Sequence, residues 1–160
     1  DQRWYMGLFQ ISNEPGFLTP TLYNYVGRPD KTAEVVRKTL KERYNTTKEG
    51  IPGNDDSGSM SSWYVFHALG FYPNTGQDLY LISSPTFEEA VIHLENGRDL
   101  SIKAKKASDK NIYVQSVKLN GEPLDACSFK HTDIANGGTL EFVMGSKPSK
   151  WGTVGVENQL

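Results

Sequence analysis

The stretch Gly53-Asn54-Asp55-Asp56-Ser57-Gly58 and the run that follows it, residues 59–70 (SMSSWYVFHALG), decide how this chain is organised. Two glycines permit a tight loop, and the residues between them carry two carboxylates, a carboxamide and a hydroxyl. The run after the loop is apolar on nearly every side of a helix, which predicts a helix that is buried all round. A polar loop therefore lies at the N-terminus of a buried helix.

Two further helices are predicted before this loop. Asn13 is a good N-cap, Glu14 suits a first helical turn and Pro15 suits an early helical position, so we expect a helix to begin there. Asp30 is the predicted cap of the next helix. Its apolar face consists of Val35, Val36, Leu40 and Tyr44.

From residue 79 onward the apolar period changes to two, which is typical of strands. Asn96-Gly97 and Asn120-Gly121 each separate two such runs and predict tight hairpin turns. We therefore predict an α+β protein with two parts. Residues 1–73 form its helices, and residues 74–160 form a small antiparallel β unit.

Composition excludes some classes of protein. The chain has 160 residues and a formal net charge of -2, so we expect no nucleic-acid partner. No apolar run approaches the roughly 20 residues that span a bilayer, so we expect no membrane span. The first residues are core-type, with Trp4 and Tyr5 among them and no starting Met. We expect the chain to be part of a larger protein.

The loop at residues 53–58 has two interpretations on local grounds. In the first, Asp56 or Ser57 caps the following helix. In the second, the loop provides a general base or ligands to calcium, which prefers carboxylate, amide and carbonyl oxygens. Asn13-Glu14 is a second polar cluster at a helix start. Where helix pairs form a barrel, the loops at one end converge, so the two clusters can meet in one pocket.

Other polar residues carry less information. His67 lies among apolar residues of the predicted helix and is interpreted as a satisfied core histidine. His93 and His131 have no clustered ligands nearby, which argues against a zinc site. Asn45-Thr46-Thr47 matches the acceptor pattern for N-glycosylation at a predicted helix end.

An ordered series of segments covers nearly the whole chain and resembles glycoside hydrolase family 92. The segments are Ser12-Asn13-Glu14-Pro15, Tyr23-Asn24-Tyr25, Gly27-Arg28-Pro29, residues 50–58 (GIPGNDDSG), residues 60–65 (MSSWYV), residues 68–73 (ALGFYP), residues 112–116 (IYVQS), Leu119-Asn120-Gly121 and residues 137–142 (GGTLEF). This order is more specific than any single motif.

The resemblance implies a calcium-dependent exo-α-mannosidase that inverts the anomeric centre. It implies a fold with an N-terminal β-sandwich, an (α/α)₆ barrel and a short β-rich C-terminal part. This chain would supply the last barrel helices and the β-rich part, with the sandwich and the rest of the barrel as partners upstream. A mannose-containing glycan would be the substrate, and the location would be extracellular or periplasmic.

The resemblance also implies roles for particular residues. Asp56 matches the general base, and Asn54 and Asp55 would orient the water or the metal-bound sugar. Asn13 and Glu14 would contact the sugar or, with Asp56, the calcium ion. The general acid would be a glutamate upstream of this chain. Two alternatives stay open: a sugar-binding or structural module without catalysis, and a calcium-binding domain.

Overall fold

Two α-helices and two β-sheets form the described part of the chain, which comprises residues 9 and 11–154 of a computed structural model. The α-helices are α1 (Pro29–Arg43) and α2 (Ser59–Leu69), and the 3₁₀ helices are Glu14–Gly16, Thr19–Val26, Asp56–Gly58 and His131–Asp133. The strands are β1 (Phe71–Pro73), β2 (Tyr80–Ile82), β3 (Glu89–His93), β4 (Asp99–Lys105), β5 (Tyr113–Leu119), β6 (Glu122–Pro123), β7 (Ser128–Phe129) and β8 (Gly138–Gly145). The core-type residues predicted at positions 1–8 lie outside the described residues.

The first predicted helix is instead two short 3₁₀ segments, Glu14–Gly16 and Thr19–Val26. A continuous α-helix from Glu14 would place Pro20 in its interior, where proline has no N–H to donate and its ring clashes with the preceding turn. Leu18, Leu22, Tyr25 and Val26 lie at helical spacing, which favours one helix with an apolar face. They do not form one buried face, because Leu22 is 46% exposed and Val26 is 70% exposed.

Helix α1 begins one residue before its predicted cap. Pro29 occupies the first helical position, for which its fixed φ is suited. Asp30 does not cap the helix; it forms two 2.8 Å hydrogen bonds with the guanidinium of Arg28. The predicted apolar face is confirmed by Val36 and Leu40, which are both buried.

Helix α2 buries one side against the rest of the described chain. Met60 and Trp63 are fully buried, and the Trp63 indole N–H donates to the carbonyl of Phe17 at 3.0 Å. The Tyr44 ring stacks on Trp63 with ring centroids 5.9 Å apart and joins α1 to α2. Val65 on another side is 53% exposed. Within residues 9 and 11–154, α2 is therefore not buried on every side, contrary to the prediction.

The strands form a three-stranded sheet, β1-β2-β7, and a five-stranded sheet, β3-β4-β8-β5-β6. The hairpin predictions are confirmed: β3 pairs with β4, and β5 pairs with β6 through Asn120 and Gly121, both at positive φ. Most pairs are antiparallel as predicted, but β4 and β8 are parallel, with Ile102 opposite Leu140. Turn residues predict only the pairing of strands that follow each other in the chain. β8 lies between β4 and β5, which come much earlier in the chain, so turn residues do not predict its pairing.

Buried polar side chains tie the helices to the sheets. The Asn24 carboxamide donates to the carbonyls of Ile82 and Cys127 at 2.7 and 3.1 Å and accepts from the Thr32 hydroxyl at 2.8 Å. In α1, the Arg37 guanidinium donates to backbone carbonyls of the loops that precede β3 and β5. The predicted division after residue 73 stays a prediction.

Candidate active site

The loop at residues 53–58 lies directly against the backbone of Ser12. The Asn54 N–H donates to the Ser12 carbonyl at 3.3 Å. A Cβ at Gly53 would lie 2.6 Å from the Ser12 Cα, closer than real contacts allow, and closer still to the Ser12 carbonyl oxygen. Glycine is therefore required at position 53 because two backbone segments touch there.

This contact brings the second polar cluster to the start of α2. Asn13 is the N-cap of the first 3₁₀ segment, as predicted, and its side-chain oxygen accepts a hydrogen bond from the Glu14 N–H at 3.0 Å. The Glu14 carboxylate accepts from the Ser59 hydroxyl at 2.7 Å, and Ser59 is the first residue of α2. Glu14 and Ser59, which lie 45 positions apart in the sequence, thus meet in the fold.

Asp55 is the carboxylate that serves the N-terminus of α2. It accepts from the Ser61 N–H at 2.9 Å and from the Ser61 hydroxyl at 2.8 Å. The backbone hydrogen bond from Ser61 is the main reason that the pKa of Asp55 lies below its usual range, and the hydroxyl adds to it. The local interpretation of Asp56 or Ser57 as the cap is wrong, because Ser57 turns the chain at a positive φ of 53° before the helix begins.

Asp56 is free of that structural task. Its side chain is exposed, and no hydrogen bond to its carboxylate occurs within the described residues. The side chain of Asn54 is exposed in the same way. The two adjacent carboxylates therefore differ in their hydrogen bonding: Asp55 is held by Ser61, whereas Asp56 is available to a water molecule or a ligand.

A groove of about 610 Å³ borders the start of α2. Among its lining residues are Glu14, Phe17, Leu18, Ser59, Phe66 and Tyr72. Of the five predicted site residues, only Glu14 lines this groove. One carboxylate at the edge of an apolar wall is an arrangement that suits a ligand with both a polar and an apolar face.

The predicted calcium ligands offer the right kind of donor atom. Asn13, Glu14 and Asp56 present amide and carboxylate oxygens, which calcium prefers. Calcium takes six to eight oxygens, however, and no group of three or more His, Cys, Asp or Glu side chains suited to a metal occurs in the part of the chain that the structure describes. Asn13, Glu14 and Asp56 can therefore supply only some of the ligands of a calcium site.

His67 is buried as predicted, but it is not satisfied. Its ring lies against Trp63 and is stacked on Tyr72, with centroid distances of 4.2 and 4.8 Å. Neither ring nitrogen has a hydrogen-bond partner within the described residues. Burial lowers the pKa of His67 to about 3.

Sequence reasoning missed the roles of Ser59 and Ser61. Both serines resemble ordinary capping or surface residues, and nothing in their spacing shows that one holds Glu14 and the other holds Asp55. The requirement for glycine at position 53 also depends on a distant segment, Ser12. From the sequence alone, the roles of these serines are indicated only by the general preference for polar side chains at the start of a helix.

Comparisons with known proteins place this geometry in a family. The profile of the glycosyl hydrolase family 92 catalytic domain matches residues 1–146. A relative from Arthroderma benhamiae, named an uncharacterized secreted glycosidase, is 40% identical over 149 residues, which is 91% of this chain and 19% of that protein. This chain belongs to glycosyl hydrolase family 92.

Solved structures agree with this assignment. The family GH92 alpha-mannosidase from Bacteroides thetaiotaomicron in complex with mannoimidazole matches with a TM-score of 0.89 and 36% identity over 94% of this chain. An inverting GH92 mannosidase from the same organism matches with a TM-score of 0.84 and 34% identity over 93% of this chain. In both cases this chain covers 20% of the solved chain. It therefore spans about one fifth of the relatives that it matches.

No described helix is long and apolar enough to cross a membrane.

Proposed function

We propose that this chain is the C-terminal part of a glycoside hydrolase that removes terminal α-linked mannose from glycans. The observation that carries the proposal is the free carboxylate of Asp56 beside a fixed Asp55, in a chain whose family match covers residues 1–146. The names of the two solved mannosidases, at 36% and 34% identity, support mannose as the sugar.

The architecture of the whole protein is part of the proposal. α1, α2 and the 3₁₀ segments before them would be the last helices of an (α/α)₆ barrel, and the sheets would be the β-rich unit that follows it. The exposed side of α2 at Val65, which is 53% exposed, supports further helices around it. The rest of the barrel and an N-terminal β-sandwich would come from upstream sequence.

Asp56 would act as the general base of an inverting reaction. Its ionised carboxylate takes a proton from a water molecule as the water attacks the anomeric carbon from the side opposite the leaving group. In inverting enzymes the acid and base are about 6.5–9.5 Å apart, which leaves room for that water. Asp55 holds the loop in place through Ser61. Asn54 would orient the water by hydrogen bonding.

The general acid of this mechanism would be a glutamate on upstream sequence. It protonates the glycosidic oxygen so that the leaving group departs as an alcohol. Neither Glu14 nor any other carboxylate in the described residues is assigned this role. The family resemblance is the basis for placing the acid upstream.

Calcium is proposed as the cofactor, with Asn13, Glu14 and Asp56 as its ligands in this chain. When bound, the ion would hold sugar hydroxyls and favour a distorted ring. Ser59 would fix the orientation of Glu14 toward the shared site through its hydrogen bond. Calcium titration calorimetry on the full-length protein tests this: Glu14→Gln should weaken calcium binding, and unchanged binding would contradict the assignment.

A secreted location, extracellular or periplasmic, is proposed as well. The relative from Arthroderma benhamiae is named a secreted glycosidase, which supports this location. The proposed glycan substrate would also lie outside the cytosol.

Asp56→Asn in the full-length protein tests the catalytic proposal. The amide cannot accept the proton, so kcat for an aryl α-mannoside should fall about 100- to 10,000-fold, with little change in thermal stability. Asp125→Asn is the matched control, because Asp125 is an exposed carboxylate of the β unit. Turnover of the Asp56 variant at the wild-type rate would refute the assignment of the base.

The alternative is a sugar-binding or structural module without catalysis. The observation in its favour is that the chain spans one fifth of its relatives. Because the family resemblance implies a general acid upstream, this chain by itself would lack one half of the acid–base pair. The isolated chain should show no mannoside hydrolysis under either function. A full-length protein that binds mannosides but does not hydrolyse them would favour the module.

A further inference from the structure

The turn between α1 and the loop at residues 53–58 contains the triplet Asn45-Thr46-Thr47. It is the one Asn-X-Ser/Thr triplet in the 160-residue sequence. Such a triplet is the acceptor pattern for N-linked glycans when it lies on the surface of a secreted protein. Its position in the fold decides whether it can serve as one.

The path of the chain directs Asn45 toward solvent. Helix α1 ends at Arg43, and Tyr44 has an extended backbone with φ of -107° and ψ of 139°. The Tyr44 ring stacks on the buried Trp63. Successive side chains of an extended segment point in opposite directions. Asn45 accordingly points away from this contact, and residues 45–49 are all exposed.

Hydrogen bonds within the triplet engage the carboxamide oxygen of Asn45. Its Oδ1 accepts from the Thr47 N–H at 2.9 Å and from the Thr47 hydroxyl at 2.6 Å. No bond from Asn45 Nδ2 occurs within the described residues. The two donors draw electron density toward Oδ1, which eases loss of a proton from Nδ2. The reactive nitrogen is exposed while the oxygen is held.

The turn has a defined shape. The Asn45 N–H donates to the Gly50 carbonyl at 3.1 Å, and the Gly50 N–H donates to the Thr47 carbonyl at 3.1 Å. A Cβ at Gly50 would lie 2.9 Å from the carbonyl carbon of Asn45 and closer still to its oxygen, so glycine lets the two ends of the turn close. The triplet is thus held at the tip of a closed turn.

We propose that Asn45 is an N-glycosylation site, which rests on the proposed secretion of the protein. The donor would be an oligosaccharide linked to a polyisoprenyl diphosphate. Asn45 Nδ2 forms a bond to the anomeric carbon of the first sugar, and the bond from that carbon to the diphosphate oxygen breaks with its electron pair. The lipid diphosphate leaves, one proton passes from Nδ2 to a base, and no oxidation occurs.

The test uses the full-length protein, directed into the secretory pathway of yeast by an added signal sequence. Trypsin cuts after Arg43 and Lys48, so residues 44–48 form one peptide with Asn45 as its sole asparagine. Treatment with peptide N-glycosidase in heavy-oxygen water should convert Asn45 to aspartate with one heavy oxygen in most molecules. Recovery of this peptide mostly unmodified from both the medium and the microsomes would overturn the proposal.

Reading both fractions separates failed glycosylation from failed secretion. Thr47→Ala removes the hydroxyl and should abolish the modification, whereas Thr47→Ser keeps a hydroxyl and should retain it. Modification of Asn45 that persists at wild-type occupancy in Thr47→Ala would overturn the role given to the Thr47 hydroxyl and the acceptor assignment with it.

Discussion

The buried imidazole of His67 makes a specific prediction about acid stability. Its folded pKa is about 3, against an ordinary value of 6.5 for the unfolded chain. Between these two values the unfolded state binds a proton that the folded state does not, so stability decreases as pH falls. At pH 5, about 1.5 units below the unfolded pKa, protonation of His67 stabilises the unfolded state; at pH 8 it does not. Lowering the pH from 8 to 5 should therefore reduce the free energy of unfolding by about 2 kcal/mol.

His67→Phe provides the comparison, because phenylalanine keeps a ring against Trp63 and Tyr72 but does not titrate. Urea unfolding of the full-length protein, followed by Trp fluorescence, gives the free energy of unfolding of each variant at pH 8 and pH 5. Other titrating groups affect both variants alike, so the wild type should lose about 2 kcal/mol more than the variant. An equal loss in both variants would refute the neutral state assigned to His67 in the folded protein.

Three further changes test the contacts that hold the fold and the loop. Asn24→Ala leaves two buried carbonyls and a hydroxyl without their partner, so the free energy of unfolding should fall by about 3 kcal/mol in urea titrations; a loss under about 1 kcal/mol would contradict its role. Gly53→Ala forces the loop away from Ser12, and kcat/KM for an aryl α-mannoside should fall on the order of 100-fold; unchanged kinetics would show that this contact is dispensable. Ser61→Ala removes one of two hydrogen bonds to Asp55, so the pKa of Asp55, measured by NMR titration, should rise toward its usual 3.8. The stability that this bond provides is present above pH 3.8 in the wild type and is lost as pH falls through the folded pKa, so an unshifted pKa would contradict the assignment.

Much of the fold follows from local patterns. The two α-helices, the change of period near residue 79 and both hairpins at Asn96-Gly97 and Asn120-Gly121 are predicted from spacing and turn chemistry. These predictions succeed because each depends on residues that are neighbours in the chain. The first predicted helix does not form as one α-helix, because Pro20 has no N–H to donate and interrupts the apolar spacing that predicts it.

The candidate site was predictable only in part. The loop at residues 53–58 and the cluster at Asn13-Glu14 are visible as polar helix starts, and the ordered resemblance marks Asp56. The sequence does not show which of Asp55 and Asp56 bonds to the helix start and which is left free, because adjacent aspartates have the same local chemistry. It depends on where Ser57 turns the chain and on which carboxylate then reaches Ser61.

The sequence by itself determined the family, the kinds of element and the oxygen-rich chemistry of the loop, since these depend on residue order and on short-range preferences. The tertiary structure decided which groups meet: Gly53 against Ser12, Glu14 against Ser59, and β8 alongside β4. Each of these contacts joins segments that lie far apart in the chain, and chain spacing carries no signal for them. Their positions are set by packing, because buried surfaces must fit together before the polar groups at their edges are brought within bonding distance.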